Sequence, residues 1–269
     1  MTIHEILSKY WGYDSFRYLQ EDIIKSILEG NDTLGLMPTG GGKSITFQVP
    51  TMAMDGMAIV ITPIISLMKD QVDNLAEKGI EDAVTVNGML NPIERADALD
   101  RVASGKASLL YISPEQLRSK TIERLLMSRN IVRFVIDEAH CFSAWGQDFR
   151  VDYLYIGDFI RKLQKEKKTD KKPIPVSCFT ATAKQKVITD ICDYFKKKLD
   201  LDNVFFAEIS LSVLSKTDAA RLIAASFHCN TSETLLAADV LIQKSGGKLD
   251  IMKYILQSWY KKGIISYSD

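Results

Sequence analysis

The sequence has few cysteines, no excess of either charge and no long apolar segment. Its four cysteines, Cys141, Cys178, Cys192 and Cys229, lack the spacing of a zinc knuckle or a redox pair, so we expect free thiols and no zinc. Its 34 Lys and Arg residues balance 34 Asp and Glu residues, which excludes a protein that wraps nucleic acid by bulk positive charge. Because no run of about 18 apolar residues is present, we expect no membrane span.

The first residues, Met1–Glu5, contain no basic stretch followed by an apolar one, so we expect no signal peptide and a cytoplasmic location. Apolar residues make up 46% of the 269 and charged residues 25%, which is typical of an ordinary folded chain. This length is enough for one large domain, or for a medium-sized domain with a smaller one.

Short apolar segments alternate with helix-period segments up to Ala207. Seven segments are predicted to be strands of a largely buried parallel sheet: Thr33–Met37, Ala58–Thr62, Ala83–Asn87, Ser108–Ser113, Arg133–Asp137, Pro175–Thr180 and Val204–Ala207. Helices are predicted between them, among others at Ile64–Lys78, Asn91–Ser104, Glu115–Ser128 and Ala183–Lys198. The alternation predicts an α/β domain over residues 1–208, with a mostly parallel sheet between helices, followed by a small, mainly helical tail over residues 209–269.

A glycine-rich segment follows the first predicted strand and precedes a helix. Its glycines let backbone N–H groups turn toward phosphates at a helix N-terminus. We expect Lys43 to reach the terminal phosphates of ATP, as a catalytic and binding residue, and the Ser44 hydroxyl to bind Mg²⁺. The strict phosphate-loop pattern requires glycine where Met37 stands, so a plain strand–helix turn is the alternative. The predicted ATP-binding loop consists of Pro38, Thr39, Gly40, Gly41, Gly42, Lys43 and Ser44.

Two adjacent carboxylates, Asp137 and Glu138, end another apolar predicted strand. Ligands of α/β sheets bind at the carboxyl ends of strands. Since strand side chains alternate, one of the two carboxylates can hold Mg²⁺, directly or through water, while the other accepts a proton from the attacking water. We expect His140 to connect this site to a neighbouring element. A helix N-cap is the alternative for the acidic pair taken alone.

Together these segments resemble the first RecA-like lobe of the RecQ-type DNA helicases, in the second helicase superfamily. Met37–Ser44 is similar to their motif I, including its methionine, and Asp137–His140 to their DEAH-type motif II. Thr62–Gln71, Tyr111–Glu115 and Thr180–Thr182 resemble motifs Ia, Ib and III. Over residues 1 to 208, the resemblance implies a RecA-like ATPase that acts on single-stranded or forked DNA in repair and recombination, associated with the nucleoid in a bacterium.

The segment Gly12–Gln20 resembles the adenine-reading motif of the same family. By that resemblance Tyr13 and Arg17 would sandwich the adenine ring, and Gln20 would hydrogen-bond its edge. An aromatic face and a guanidinium plane stack well on a base, and an amide reads donor and acceptor together. The alternative is a core tyrosine and a surface arginine on an ordinary first helix.

The segment Cys141–Tyr153 resembles the aromatic-rich loop that follows motif II in RecQ proteins. Its aromatic residues, including Tyr153, would stack on unpaired bases, with arginine on phosphate. The alternative is that this loop packs on its own domain, and we expect some of its aromatic residues to do so. The resemblance implies DNA contact or coupling for Ser66, Lys69, His140, Trp145, Phe149, Arg150, Thr180 and Thr182.

Three positions depart from the family pattern. Tyr18 and Val151 stand where the family usually has proline, and Gln147 where it often has histidine. Because glutamine hydrogen-bonds but cannot be protonated, a charge-based role at that position is in doubt.

The family's mechanism needs arginines from a second lobe in the ATP cleft. The tail contains one arginine, Arg221, and is too short for such a lobe, so we expect a helicase reduced to its ATP-binding lobe, weak or inactive in unwinding alone. Two alternatives are a non-catalytic ATP- and DNA-binding regulator and a half-motor completed by a partner chain that carries the second lobe.

The tail itself predicts helices followed by one late strand, Ile264–Tyr267. One apolar helical face is predicted from Ile251, Met252, Ile255, Leu256 and Trp259. This pattern fits either a structural cap or a small winged-helix-like unit that binds DNA.

Overall fold

The computed structural model describes residues 1–38, 40–143, 150–167, 173–181, 185–199, 204–208, 216–227, 234–245, 252, 254–256 and 258–259. The chain divides into two compact units, Met1–Ser210 and Leu211–Asp269. Within these described ranges, no helix is both long enough and apolar enough to cross a bilayer.

In the described part of the first unit, seven strands form one sheet. They are β1 (Asp32–Leu36), β2 (Met57–Ile61), β3 (Ala83–Val86), β4 (Leu109–Ile112), β5 (Ile131–Ile136), β6 (Val176–Thr180) and β7 (Val204–Glu208). Their order is β3-β4-β2-β5-β6-β1-β7, and all neighbouring strands are parallel. The α/β fold predicted from the sequence is therefore confirmed, with each strand end within one or two residues of its predicted position.

Helices connect the strands and follow the last one. They are α1 (Ile3–Trp11), α2 (Gln20–Leu28), α3 (Ile45–Ala53), α4 (Ile65–Glu77), α5 (Pro92–Ala103), α6 (Lys120–Met127), α7 (Tyr153–Glu166), α8 (Gln185–Leu199), α9 (Lys216–Phe227) and α10 (Leu235–Ser245). Among the described residues, short 3-10 helices cover Pro114–Arg118 and Ala139–Phe142.

The prediction of one continuous helix over Glu115–Ser128 is wrong, because the segment forms two helical elements. The structure has a 3-10 turn that ends at Arg118, an extended Ser119 at φ −75° and ψ 124°, and then α6. Leu117 and Leu126 are both fully buried. Nine residues are about two and a half turns of an α-helix, so one continuous helix would turn these side chains to opposite sides. The break at Ser119 lets both reach the core.

The two faces of the sheet are covered by different helices. Successive β2 side chains point in opposite directions, as strand geometry requires. Ile59 packs in a cluster with side chains of α5, α6, α7 and α8, whereas Val60 packs with side chains of α2, α3 and α4, such as Phe47. The helix that follows the glycine-rich loop and the helix that follows β2 therefore share one face.

The second unit has its own small core. Met252 and Leu256 are buried there with Ala220, Ile223 and Leu241 of α9 and α10, and Ile255 and Trp259 pack against them. The residues of the predicted apolar face that the structure describes therefore all pack against α9 and α10. Ile251 and the predicted strand Ile264–Tyr267 lie outside the described residues.

Candidate nucleotide-binding site

The glycine-rich loop between β1 and α3 has the backbone shape that a phosphate group needs. Gly40 and Gly42 have left-handed φ angles of 80° and 76°, which favour glycine. A Cβ on Gly41 would lie 2.9 Å from the Pro38 carbonyl oxygen, so this position accepts no side chain without a shift. Because α3 begins directly after the loop, its N-terminal amides and dipole favour an anion. Thr39 lies outside the described residues.

Lys43 forms ion pairs with both predicted carboxylates. Its Nζ lies 2.7 Å from Oδ1 of Asp137 and 3.0 Å from Oε1 of Glu138. Burial opposes the positive charge, but the two carboxylates outweigh it and raise the pKa of Lys43. The structure therefore joins the loop after β1 to the acidic end of β5.

His140 connects the acidic pair to β6. Its Nδ1 lies 3.2 Å from Oε2 of Glu138 and 3.0 Å from Oγ1 of Thr180, the last residue of β6. Hydrogen bonds with Cys141 and Glu138 raise the pKa of His140 to about 10. Contacts with His140 and then Lys43 lower the pKa of Glu138 to about 2. At neutral pH these groups form an imidazolium–carboxylate pair.

A cavity of about 540 Å³ lies over these residues. Its volume is within the range of small-molecule sites, about 300–1,000 Å³. The predicted residues that line it are Tyr13, Pro38, Gly40, Gly42, Lys43, Ser44, Asp137 and Glu138. The cavity therefore brings together the loop, the acidic pair and the tyrosine of the adenine-reading segment.

The adenine-reading segment has a different arrangement from the predicted sandwich. The Arg17 guanidinium carbon lies 5.1 Å from the centroid of the Tyr13 ring, so these side chains contact each other. Gln20 is 3% exposed, and its Nε2 donates to the carbonyl oxygens of Gly41 at 3.0 Å and Gly42 at 3.2 Å. Its Oε1 accepts from the Arg17 backbone N–H at 2.8 Å. A buried side-chain amide needs hydrogen-bond partners, and the glycine-rich loop supplies the acceptors for the Gln20 NH₂ group.

The described residues that are expected to contact DNA belong to different elements of the fold. Ser66 and Lys69 are exposed in the first turns of α4, and Arg150 is exposed before α7. Trp145, Phe149 and Thr182 lie outside the described residues, as does Gln147.

Tyr153, in the aromatic-rich segment after Asp137–His140, packs on its own domain, which is the alternative to stacking on bases. It is fully buried at the start of α7, where its ring packs edge-on against Phe142. Its hydroxyl donates to the backbone oxygen of Asp137 at 2.8 Å. Tyr153 therefore holds the backbone at the acidic strand end in place, and its buried ring cannot stack on a nucleic-acid base.

Sequence reasoning missed a polar group on the inner wall of the cavity. The Gln48 Nε2 donates to Oε1 of Gln71 at 2.9 Å and to the Tyr111 hydroxyl at 2.8 Å. All three residues line the cavity. Gln48 stands one helical turn after Ser44, and this spacing is the signal that places it beside the loop.

The donor set fits Mg²⁺ bound together with a nucleotide. Within the described residues, no three His, Cys, Asp or Glu side chains are grouped so as to hold a metal ion. Mg²⁺ usually binds through one or two carboxylates plus substrate phosphates. Ser44 and Asp137, which both line the cavity, provide a hydroxyl and a carboxylate for such a site.

Comparison with known proteins gives a consistent result. Residues 17–191 match the family model of the DEAD/DEAH box helicases. The chain is 39% identical over 224 residues to the probable ATP-dependent DNA helicase RecS of Bacillus subtilis, covering 82% of this chain and 43% of that protein. It is 42% identical over 188 residues to the ATP-dependent DNA helicase RecQ of Bacillus subtilis, covering 70% of this chain and 30% of that protein. The chain thus spans less than half the length of these relatives.

Solved structures share the fold at low identity. A DNA-bound structure of the DUF1998 helicase MrfA has a TM-score of 0.62 at 17% identity, covering 85% of this chain and 35% of that one. A hypothetical ATP-dependent RNA helicase from Sulfolobus tokodaii has a TM-score of 0.56 at 17% identity, covering 82% of this chain and 64% of that one. With its glycine-rich loop, its acidic strand end and the family match over residues 17–191, the chain belongs to the DEAD/DEAH box helicase family.

Proposed function

We propose that this chain is the ATP-binding motor lobe of a RecQ-type DNA helicase, which binds ATP with Mg²⁺ and hydrolyses it in response to single-stranded DNA. The observation that carries the proposal is the contact of Lys43 with both Asp137 and Glu138 beside the glycine-rich loop. The similarity to RecS and RecQ, both named ATP-dependent DNA helicases, supports DNA as the nucleic acid.

Each residue of the site has a separate role in this proposal. The loop amides and Lys43 bind the phosphates, and Lys43 exchanges its carboxylate partners for phosphate oxygens. Ser44 and Asp137 hold Mg²⁺, which neutralises charge that develops on the phosphates. Glu138 orients the attacking water and accepts its proton, while His140 holds the Glu138 carboxylate in place.

The adenine ring is proposed to bind beside Tyr13, which lines the cavity and is 42% exposed. Arg17 would move from the Tyr13 ring to the far face of the base. Gln20 would exchange its bonds to the Gly41 and Gly42 carbonyl oxygens for the adenine edge. Base binding is thereby linked to the conformation of the phosphate loop.

Single-stranded DNA is proposed to bind at Ser66, Lys69, Trp145, Phe149 and Arg150, with His140, Thr180 and Thr182 coupling this surface to the nucleotide. The 3.0 Å contact between His140 and Thr180 supports that coupling route. We expect slow turnover from the 269 residues assayed alone, because catalysis by two-lobed motors also needs arginines from the second lobe. A separate chain with that lobe would raise the rate.

Measurement of ATP turnover tests this function. The wild-type chain should hydrolyse ATP slowly, with a rate that single-stranded DNA increases, and Glu138→Gln should abolish the activity. Glu166→Gln, which changes an exposed glutamate of α7, is the matched control and should retain it. Equal rates for the wild type and Glu138→Gln would contradict the assignment of Glu138 as the catalytic base.

A further inference from the structure

One buried hydroxyl in the cavity has no protein partner. Thr62 is 3% exposed and lines the cavity together with Lys43 and Asp137, yet its Oγ1 makes no hydrogen bond with any residue that the structure describes. Buried hydroxyl groups in folded proteins nearly always have a partner, because leaving one unpaired costs about 1–3 kcal/mol. A group of this kind at the wall of a binding cavity points to a ligand that pairs with it.

The strand register places this hydroxyl beside the proposed metal ligand. Ile61 of β2 pairs with Ile136 of β5 in parallel register. Beyond this pair the ladder continues, because Asp137 N–H donates to the Ile61 oxygen at 2.9 Å and Thr62 N–H to the Ile112 oxygen at 3.2 Å. Thr62 and Asp137 are therefore neighbours on adjacent strands, with side chains on the same face at the usual spacing of about 4.8 Å.

That face is the one that carries the phosphate-loop helix. Side chains alternate along β2, so Thr62 lies on the side of Val60, which packs in the cluster containing Phe47 of α3. Ser66 and Lys69, in contrast, are exposed on α4. Thr62 is thus buried, whereas the residues of the same sequence segment that are proposed to contact DNA are exposed.

We propose that Thr62 is a further positioning residue of the nucleotide site, and that its hydroxyl accepts a hydrogen bond from a water molecule bound to the Mg²⁺ that Asp137 holds. This inference rests on the proposed function. Mg²⁺ keeps several of its waters when it binds to proteins, and these waters need acceptors. The unpaired Oγ1 next to the Asp137 carboxylate provides one, whereas the phosphates are served by Lys43 and the loop amides.

Titration of a fluorescent ATP analogue tests the proposal. Dissociation constants are measured for the wild type, Thr62→Val and Thr62→Ser with excess Mg²⁺ and again with EDTA. Thr62→Val should bind about tenfold more weakly with Mg²⁺, as expected for loss of a hydrogen bond to a charged centre. Its affinity in EDTA should equal that of the wild type. Thr62→Ser, which restores the hydroxyl, should return the Mg²⁺-dependent affinity to near the wild-type value.

Thermal unfolding provides the second measurement. Because the hydroxyl has no protein partner, Thr62→Val should melt at the same temperature as the wild type or higher. The matched control is Ser26→Ala, which removes another buried hydroxyl, in α2, that has no hydrogen-bond partner within the described part of the chain. Ser26→Ala should also keep or raise the melting temperature, but leave nucleotide affinity unchanged with and without Mg²⁺.

Three results would overturn the proposal: equal Mg²⁺-dependent affinity for the wild type and Thr62→Val, equal weakening in EDTA, or a lower melting temperature for Thr62→Val. Equal Mg²⁺-dependent affinity would show that the Thr62 hydroxyl makes no contact with the metal-bound water. Equal weakening in EDTA would show that the hydroxyl contacts phosphate instead, and a lower melting temperature would show that it stabilises the folded protein. If Lys43→Ala still abolishes binding in these cases, the proposed function stands and only the role of Thr62 fails. If the wild type binds no ATP, both fail.

Discussion

The Lys43 Nζ lies 3.0 Å from Oε1 of Glu138, which joins two residues 95 positions apart in the sequence. The contact requires β1 and β5 to end at the same edge of a parallel sheet, which they do with only β6 between them. A glycine-rich turn before a helix supplies the lysine, and an apolar strand with an acidic end supplies the carboxylate. In the proposed function, a metal-bound triphosphate would replace this ion pair.

The Glu138–His140 pair should make stability depend on pH. The pKa of Glu138 falls from its ordinary value of 4.5 to about 2, so its stabilising effect is present above pH 4.5 and is lost as the pH falls toward 2. The pKa of His140 rises from 6.5 to about 10, so its effect is present below pH 6.5 and is lost as the pH rises toward 10. The melting-temperature difference between the wild type and His140→Gln should therefore be largest from pH 4.5 to 6.5.

The control for this prediction is His4→Gln, which changes an exposed histidine near Glu21. Its melting temperature should follow that of the wild type across the same pH range. A difference for His140→Gln that does not change between pH 5 and pH 10 would contradict the assigned ion pair.

Gln20 should matter for both stability and nucleotide binding. Gln20→Leu leaves the carbonyl oxygens of Gly41 and Gly42 without their donor, so we expect a loss of about 1–3 kcal/mol in the free energy of unfolding. ATP affinity should also fall. Tyr13→Ala, in the exposed part of the cavity wall, should weaken ATP binding while it leaves stability within about 0.5 kcal/mol. Urea unfolding and nucleotide titration separate the two effects, and a fully stable Gln20→Leu would contradict the link to the loop.

Arg133 should be a major stabilising residue although it lies far from the chemistry. It is 1% exposed, and its guanidinium donates to the Ile27, Asn31 and Ser177 oxygens at 2.7, 3.0 and 2.9 Å. Arg133→Leu leaves these acceptors unpaired, those of Ile27 and Ser177 in buried positions, so the free energy of unfolding should fall by about 2–5 kcal/mol. Arg161→Leu, at an exposed position of α7, should cost less than about 1 kcal/mol in the same denaturation experiment. Similar losses for both variants would contradict this account.

The turn before α2 should reject a proline in place of Tyr18. Tyr18 is 67% exposed and has a φ angle of 51°, in the left-handed region, whereas proline fixes φ near −65°. Tyr18→Gly should therefore raise the free energy of unfolding by up to about 1 kcal/mol, because glycine adopts this conformation without strain. Tyr18→Pro should lower it and should also displace Gln20, which amide exchange of the phosphate loop would detect. A stable Tyr18→Pro variant with an unchanged loop would show that the turn has another conformation.

The fold and much of the site followed from local patterns in the sequence. Apolar runs such as Ala58–Thr62 predicted the buried strands, and the glycine-rich turn and the acidic strand end were recognisable from their own residues. The resemblance to RecQ proteins added the adenine-reading and aromatic-rich segments. What could not be predicted depends on the conformation of single side chains. Nothing in the spacing shows that Gln20 bonds the phosphate loop, that Tyr153 is buried under Asp137, or that Ser119 interrupts a helix, because each of these is decided by tertiary contacts.

The most direct test of the central claim is equilibrium titration of ATP with Mg²⁺ into the wild type, Lys43→Ala and Lys25→Ala. Lys25 pairs with Glu21 on the exposed face of α2, outside the cavity, so its variant controls for loss of a lysine. We predict saturable binding to the wild type and Lys25→Ala, and none to Lys43→Ala at the same concentrations. Equal binding to all three proteins would contradict the assignment of this cavity as a nucleotide site.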